Sequence, residues 1–278
     1  MNLFRSVYTH HKKTLPTPPL TFHSIRLTFS PMRSLVFALL LLVACAAESR
    51  TLTISAASNL QIAFTEIGAA FEKESGARVI FNYGATGQLA QQIAQGAPVD
   101  VFVAADRATL DDLIARGLIA RETVANYARG QIVTYTRGDQ PAPALAELAR
   151  PEIKRIAIAN PERAPYGKAA RQALHNAGIL AAVESKIIYA ENIQQTQQYA
   201  DTGAVDVAII ARSLTIHTRG RWSEIPQNLY APIDQAIGVV ASSKNQRDAR
   251  AFVAFMLSDA GRAVLLKYGY AMPNHESQ

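Results

Sequence analysis

From Thr51 onward, short runs of β-branched residues alternate with helical patterns along the whole chain. The apolar runs predict strands at residues 52–55, 77–83, 100–103, 132–135, 154–159, 186–189, 205–210 and 237–241. The intervening patterns predict helices at 59–74, 88–95, 107–116, 167–176, 192–201, 244–257 and 258–267. Strands that alternate with helices are typical of α/β proteins with largely parallel sheets, so this order predicts an α/β fold.

Two α/β lobes accommodate this order of elements better than one large domain. The chain is expected to cross between them near residues 129–134 and to return near residues 230–236. Lobe I then comprises residues 50–132 plus 233–278, and lobe II comprises residues 133–232. Because folds of this kind bind ligands at domain interfaces, the cleft between the lobes is the expected site.

Residues 1–47 have the pattern of a secretory leader, and we leave them out of the fold prediction. Met32, which is also a candidate start, and Arg33 precede an apolar run at 35–44, and small residues follow. That run is too short for a stable membrane span. Five of the 28 lysine and arginine residues, but none of the 22 acidic ones, lie in this leader. The remainder is therefore nearly neutral and has no basic stripe for nucleic acid.

Cys45 is the only cysteine of the chain, and it has two interpretations. The segment 42–45, "LVAC", resembles the lipobox of bacterial lipoproteins, in which the cysteine is acylated and anchors the protein. Alternatively, Cys45 is simply a small residue near an ordinary signal-peptide cleavage site. Under both interpretations the body after the leader has no disulfide and depends on core packing.

Four predicted helices begin with residues that leave backbone N–H groups available. They are the starts at Ser58, at Thr86, at Pro165-Tyr166-Gly167 and at Glu191-Asn192-Ile193. Ser58 is expected as an N-cap that forms a capping box with Gln61, and Thr86 is expected in the same place before its helix. Any one of these residues has an ordinary structural explanation as a cap or a packing residue. If the N-termini of all four helices face one cleft, their N–H groups would instead form a cage for an anion.

The chain resembles the periplasmic molybdate-binding proteins of ABC importers over about residues 51–273. The resemblance is most specific in "GQLAQQIAQGAPVDVFVAAD" (87–106), and it continues through "IAIANPERAPYGKAARQAL" (156–174) to "YGYAMP" (268–273). It implies a two-lobed type II periplasmic binding protein fold with a hinge and an interlobe ligand cleft. It also implies a tetrahedral oxyanion held by neutral hydrogen bonds, with no catalytic residue and no cofactor.

Carried over residue by residue, the resemblance assigns the oxyanion site to five residues: Ser58, Asn59, Thr86, Tyr166 and Ile193, the last through its backbone N–H. Many members of the family have a small residue where Tyr166 stands and a donor tyrosine at the position of Ile210. Tyr166 is therefore expected to supply the hydroxyl group, and Ile210 is left out of the site.

The chemistry of the ligand agrees with such a cage. Molybdate and tungstate are fully deprotonated dianions at neutral pH, so they only accept hydrogen bonds, whereas hydrogen phosphate would need a carboxylate acceptor. Asp106 and Glu191 are nearby in sequence, but we interpret Asp106 as a helix cap and Glu191 as a first-turn charge. Sulfate has the right charge and needs a tighter cage, so another oxyanion stays an alternative.

Other classes of protein are less consistent with the sequence. An enzyme is not expected, because the histidines are scattered and no nucleophile, carboxylate pair or metal-ligand spacing is evident. A regulatory domain would carry a DNA-binding segment where the leader stands, and a receptor for an organic anion would use an arginine clamp. The prediction is a monomeric periplasmic receptor that delivers its ligand to an inner-membrane ABC permease and its ATPase.

Overall fold

The computed structural model describes residues 50–139 and 141–273. The predicted leader at 1–47, with Met32 and Cys45, lies outside the described residues. The described residues form one compact unit. Within the described part, no helix is both long enough and apolar enough to cross a membrane.

Within residues 50–139 and 141–273, ten strands form two five-stranded sheets. The strands are β1 (Thr51–Ala57), β2 (Arg78–Gly84), β3 (Val101–Ala104), β4 (Ala125–Gly130), β5 (Ile132–Thr136), β6 (Ile156–Ala159), β7 (Ile187–Ala190), β8 (Val207–Ala211), β9 (Arg221–Glu224) and β10 (Ile233–Val239). The first sheet has the order β2-β1-β3-β10-β4, and the second has the order β7-β6-β8-β5-β9. The α/β fold class predicted from the sequence is confirmed.

Eight helices accompany the strands in the described part of the chain. They are α1 (Gln61–Ser75), α2 (Thr86–Ala94), α3 (Arg107–Ala115), α4 (Pro165–Asn176), α5 (Leu180–Val183), α6 (Ile193–Asp201), α7 (Gln246–Leu257) and α8 (Asp259–Lys267). All seven helices expected from the sequence are present with shifted ends, and α5 is an additional single turn. Gly76 ends α1 with a left-handed φ of 69°, a backbone conformation that glycine adopts without steric cost.

Both sheets are mixed, which corrects the expectation of largely parallel sheets. β10 pairs antiparallel with β3 and β4, and β5 pairs antiparallel with β8 and β9, whereas the other pairs are parallel. β5 begins directly after β4, and β10 is the strand by which the chain returns to the first sheet. Each of these two strands starts at the edge of its sheet where the strands that are parallel to one another end. It must therefore run in the opposite direction to them.

The chain changes sheets at two places. Strand β4 of the first sheet ends at Gly130 and β5 of the second begins at Ile132, while β9 ends at Glu224 and β10 begins at Ile233. These changes fall where the sequence predicted its crossovers. The residue bounds predicted for the two lobes, 50–132 plus 233–278 and 133–232, stay a prediction.

Two strands were not predicted from the sequence. β4 has the sequence ANYARG, which lacks β-branched residues, and β9 has the polar sequence RWSE at the edge of its sheet. β4 instead packs through Tyr127 and Ala128, which are both buried. Tertiary packing rather than local propensity therefore forms these two strands.

The core of the first sheet is closed by an aromatic cluster. Phe252 of α7 meets Phe71 of α1 edge to face, with ring centroids 5.1 Å apart, and Phe64 at 6.2 Å. Phe64 and Phe252 are completely buried. Since such edge-to-face pairs stabilise beyond the area they bury, this cluster ties the C-terminal helices to the first sheet.

Candidate functional site

One small cavity brings together all five residues that the sequence assigned to an oxyanion site. It lies between elements of the two sheets and is small, and the five predicted residues that line it are buried. Its lining consists of Ala57, Ser58, Asn59, Gly84, Ala85, Thr86, Ala105, Ala164, Pro165, Tyr166 and Ile193. Most of the remaining lining residues are alanine or glycine, so backbone groups can approach whatever the cavity holds.

Ser58 and Asn59 lie in a 3-10 turn, Ser58–Leu60, between β1 and α1. The predicted capping box of Ser58 and Gln61 is wrong: Ala57 precedes the turn, and no side chain caps either the turn or α1. The extra turn displaces the start of the α-helix to Gln61, so Ser58 is not beside the N–H group it was expected to cap. The buried Ser58 hydroxyl has no hydrogen-bond partner within the described residues and can donate into the cavity.

Thr86 is the first residue of α2 and not its cap, which corrects the second predicted cap. Ala85 occupies the capping position, and the Thr86 Oγ1 atom accepts a hydrogen bond of 3.1 Å from the backbone N–H of Ala105. This bond joins α2 to the end of β3. Because the oxygen accepts this bond, the hydroxyl proton of Thr86 is available to a ligand.

Tyr166 comes from α4, on the side of the second sheet. Pro165 opens this helix, where its missing N–H costs nothing, and Tyr166 follows with only 2% of its surface exposed. Burial raises the pKa of the Tyr166 hydroxyl well above its ordinary value, and the neighbouring Tyr270 and Tyr230 add to the shift. The hydroxyl therefore keeps its proton and can act as a hydrogen-bond donor.

Ile193 begins α6, and its backbone N–H faces no acceptor within the described residues. The predicted start at Asn192 is confirmed, since its side chain accepts bonds from the N–H groups of Gln194 and Gln195 at 3.1 and 3.0 Å. The cap satisfies the second and third N–H groups and leaves the first, that of Ile193, at the positive end of the helix dipole. Glu191 lies before the cap and is exposed, so its predicted role as a first-turn charge is wrong.

No charged side chain lines the cavity among the described residues. Asp106 caps α3, as predicted: one carboxylate oxygen accepts the N–H of Thr109 at 2.6 Å and the other accepts its hydroxyl at 3.0 Å. Ile210 lies within β8, fully buried and outside the cavity lining. No group of three or more potential metal-ligating side chains occurs in the part of the chain that the structure describes.

The first sheet meets the second around this cavity through direct hydrogen bonds. The backbone N–H of Gly87 donates to the Arg163 carbonyl oxygen at 2.9 Å, and the Ser213 hydroxyl donates to the Asn59 carbonyl oxygen at 3.3 Å. A wider groove beside the cavity shares Ala164 and Pro165 with it. The structure is therefore a closed form, in which both sides contact the same small space.

Three buried residues beside the site were not found from the sequence: Tyr127, Gln235 and Tyr270. The Asn59 Nδ2 atom donates to the Gln235 Oε1 atom at 2.9 Å and to the Tyr270 hydroxyl at 3.0 Å, and the Tyr127 hydroxyl lies 3.0 Å from the same Gln235 oxygen. Two of these residues, Gln235 and Tyr270, are far from Asn59 in sequence; Tyr270 lies in the segment 268–273 that resembles the family, but Gln235 lies in no motif. Only the sheet order, which places β10 between β3 and β4, could have indicated Gln235.

Comparison of the sequence with known proteins identifies the class of protein to which this site belongs. The family model for bacterial extracellular solute-binding proteins matches residues 52–271. The molybdate-binding protein ModA of Azotobacter vinelandii is 32% identical over 240 residues, which are 83% of this chain and 94% of the relative. A putative ABC transporter substrate-binding lipoprotein of Bacillus subtilis is 31% identical and is matched over 79% of this chain and 86% of its own length.

A solved structure agrees with the sequence relatives. The periplasmic molybdate-binding protein of Azotobacter vinelandii superposes with a TM-score of 0.77 at 27% identity, covering 80% of this chain and all of that chain. The fold is therefore that of a two-lobed periplasmic binding protein, as the resemblance implied. The chain belongs to the bacterial extracellular solute-binding proteins.

Proposed function

We propose that this protein is an extracytoplasmic receptor that captures molybdate or tungstate between its two lobes and delivers the ion to an ABC permease and its ATPase. The observation that carries the proposal is a small, buried site whose polar groups are neutral hydrogen-bond donors from the sides of both sheets. The relatives that are named for molybdate binding support the same ligand.

Four donors are free to meet the anion. The hydroxyls of Ser58, Thr86 and Tyr166 have protons without a protein acceptor in the described part, and the N–H of Ile193 is the fourth. Asn59 contributes differently, because both hydrogens of its side-chain amide are used by Gln235 and Tyr270. We therefore assign its contact to the backbone N–H in the first turn before α1.

Neutral donors suit a fully deprotonated dianion. Oriented hydroxyls and helix N-termini replace the hydration of the buried anion without adding a counter-charge that must itself be desolvated. Hydrogen phosphate would place its own O–H against these donors, and the carboxylate of Asp106, which follows the lining residue Ala105 in sequence, is engaged with Thr109. A cage without a free carboxylate acceptor thus favours molybdate or tungstate over hydrogen phosphate.

Closure is the step that couples binding to delivery. Segments 130–132 and 225–232 connect the two sheets, and we propose hinge motion there, with the lobe bounds predicted from the sequence. An anion that contacts both lobes stabilises the closed form, which the permease can then recognise.

The remaining expectations complete the proposal. The leader at 1–47 would direct export, and Cys45 would either be acylated as an anchor or lie near the cleavage site. The receptor would act as a monomer, without catalysis, and would treat the oxyanion as cargo rather than as a cofactor.

A thermal-shift panel of molybdate, tungstate, sulfate and phosphate tests the proposal. A ligand at 100 times its Kd stabilises the folded state by about 2.7 kcal/mol, or roughly 5–10 °C for a chain of this size. Molybdate and tungstate should raise the Tm of the purified protein by this amount at concentrations where sulfate and phosphate do not. An equal shift with sulfate or phosphate would contradict the ligand assignment.

A further inference from the structure

A buried polar network lies directly behind the cavity. We call it the Gln235 network; its members are Asn59, Tyr127, Tyr166, Gln235 and Tyr270. Each has 3% or less of its surface exposed, and Gln235 has none. Gln235 and Asn59 belong to elements of the first sheet, whereas Tyr166 belongs to α4 beside the second sheet. The network therefore spans the closed cleft.

The donor and acceptor roles in this network follow from one group that can only accept a hydrogen bond. The carbonyl oxygen of Asn59 accepts the Tyr270 hydroxyl proton at 2.8 Å. Tyr270 has then used its one proton, so its oxygen accepts the bond that joins it to the Asn59 side chain at 3.0 Å. The amide nitrogen of Asn59 must therefore face Tyr270, which fixes the orientation of this side chain.

Asn59 in turn orients Gln235. The Asn59 Nδ2 atom donates its other hydrogen to the Gln235 Oε1 atom at 2.9 Å. The Tyr127 hydroxyl has one proton and two acceptors within reach, this oxygen at 3.0 Å and the Ala104 carbonyl oxygen at 3.2 Å. With its oxygen held by Asn59, Gln235 directs its Nε2 atom at the Tyr166 hydroxyl, 3.3 Å away.

Tyr166 is the end of this chain of bonds. Its oxygen accepts a hydrogen bond from Gln235, and its proton has no acceptor within the described residues. The Asn59 Nδ2 atom lies 3.4 Å from the same oxygen, but both of its hydrogens are donated to Tyr270 and Gln235. The residue lines the cavity, so the cavity is where that proton can be used. Gly130 leaves room for this arrangement, because a Cβ atom there would overlap the Tyr166 hydroxyl.

The orientation of Asn59 has a cost that supports this account. Its Oδ1 atom is fully buried and has no hydrogen-bond partner in the described part of the chain. A buried unsatisfied acceptor is destabilising, so something must hold the amide in this orientation. Tyr270 and Gln235 supply that constraint. Their hydrogen bonds to the amide nitrogen fix its orientation and leave the Oδ1 atom unsatisfied.

We infer that Gln235 is a positioning residue that sets the polarity of the Tyr166 hydroxyl, so that Tyr166 presents a proton, and not a lone pair, to the bound anion. The inference rests on the proposed function and deepens it. A site with this polarity accepts an oxyanion oxygen that carries no proton. Gln235 would thus contribute to discrimination between molybdate and hydrogen phosphate without contacting either ion.

A double-mutant cycle on the full chain tests the inference, with molybdate affinity measured by titration calorimetry. Gln235→Met should weaken binding about tenfold, the size of one lost neutral hydrogen bond. In a Tyr166→Phe background the same substitution should add no more than about twofold, because Gln235 acts through Tyr166. Wild-type affinity in Gln235→Met, or effects of the two changes that simply multiply, would overturn the inference. If the wild type binds neither molybdate nor tungstate, the proposed function fails and the inference fails with it.

Gln235→Glu is a second variant that keeps acceptors for Asn59 and Tyr127 but removes the donor to Tyr166. At pH 8 the new carboxylate should draw the Tyr166 proton away from the cavity and weaken molybdate binding at least tenfold. Toward pH 6 the carboxyl group should regain a proton, donate to Tyr166 and restore affinity.

The tyrosine hydroxyls around position 235 keep their protons in that range. Tyr127 and Tyr166 face position 235, Tyr270 lies beyond Asn59, and burial raises the pKa of all three hydroxyls. Arg129 of β4 and Asp234 of β10 pair with each other. Gln198→Glu, at an exposed glutamine of α6, is the matched control and should bind as the wild type at every pH. A flat profile with wild-type affinity in Gln235→Glu would overturn the inference.

Discussion

Gly87 donates its backbone N–H to the carbonyl oxygen of Arg163 at 2.9 Å, and this bond joins the first turn of α2 to the loop before α4. The two residues belong to opposite sides of the cleft. A Cβ atom on Gly87 would lie 3.1 Å from the Arg163 oxygen, which is closer than an ordinary contact. The close approach of two backbones, rather than a side-chain interaction, thus defines how far the cleft closes here.

Gly87→Val should therefore weaken molybdate binding by about tenfold or more, because a penalty of about 1.4 kcal/mol on closure lowers the affinity by that factor. Titration calorimetry measures the effect. Gln91→Val, at an exposed position of the same helix, introduces the same side chain away from this contact and should leave the affinity unchanged. Equal affinities in the two variants would show that closure does not depend on this contact.

Thr86→Ala and Tyr166→Phe should each weaken molybdate binding by about 1–3 kcal/mol, because each removes one buried donor to the anion. The same calorimetric titration checks both variants. Tyr189→Phe is a matched control, since Tyr189 is 44% exposed and its hydroxyl contacts Arg171 far from the cavity lining. Unchanged affinity in both site variants would refute the residue assignment and leave the fold intact.

The sequence predicted the site better than it predicted the local geometry. All five proposed ligand residues line one cavity, yet the capping roles given to Ser58 and Thr86 were wrong. The residue types were informative because they supply N–H and hydroxyl donors where helices begin. The local pattern could not reveal that an extra turn separates Ser58 from α1, since one 3-10 turn adds only three residues.

The long-range partners of Asn59 could not be predicted from the sequence, for a different reason. Gln235 follows Asn59 by 176 residues, and its role depends on β10 returning to the first sheet in an antiparallel direction. No period, cap or motif marks a single buried glutamine. Likewise, β4 and β9 were missed because their sequences are not typical of strands, and their neighbours in the sheets hold them in place.

Molybdate affinity should be constant from about pH 7 to pH 9.5. No charged side chain lines the cavity, and burial raises the pKa of Tyr166 well above the ordinary tyrosine value of about 10. The protonated form is the donor, so a raised pKa keeps that donor present throughout this range. Calorimetry across the range checks the expectation, and an affinity that begins to fall near pH 9 would contradict it.

Asp106→Ala should lower the stability by about 1 kcal/mol, because the carboxylate caps α3 through Thr109. The Tm should fall by roughly 2–4 °C, while molybdate affinity should stay within about twofold of the wild type. Denaturation and calorimetry on the same preparation separate the two effects. A large loss of ligand affinity with little loss of stability would instead place Asp106 at the anion.

The central claim is that neutral groups from both sheets hold the oxyanion, and a crystal structure of the molybdate complex tests it most directly. Anomalous scattering at the molybdenum edge locates the ion independently of its oxygens. The account predicts one peak in the cavity, with the oxygens within about 2.6–3.2 Å of the Ser58, Thr86 and Tyr166 hydroxyls and of the Ile193 N–H. A peak outside this cavity, or an ion that contacts a lysine or arginine, would contradict the account.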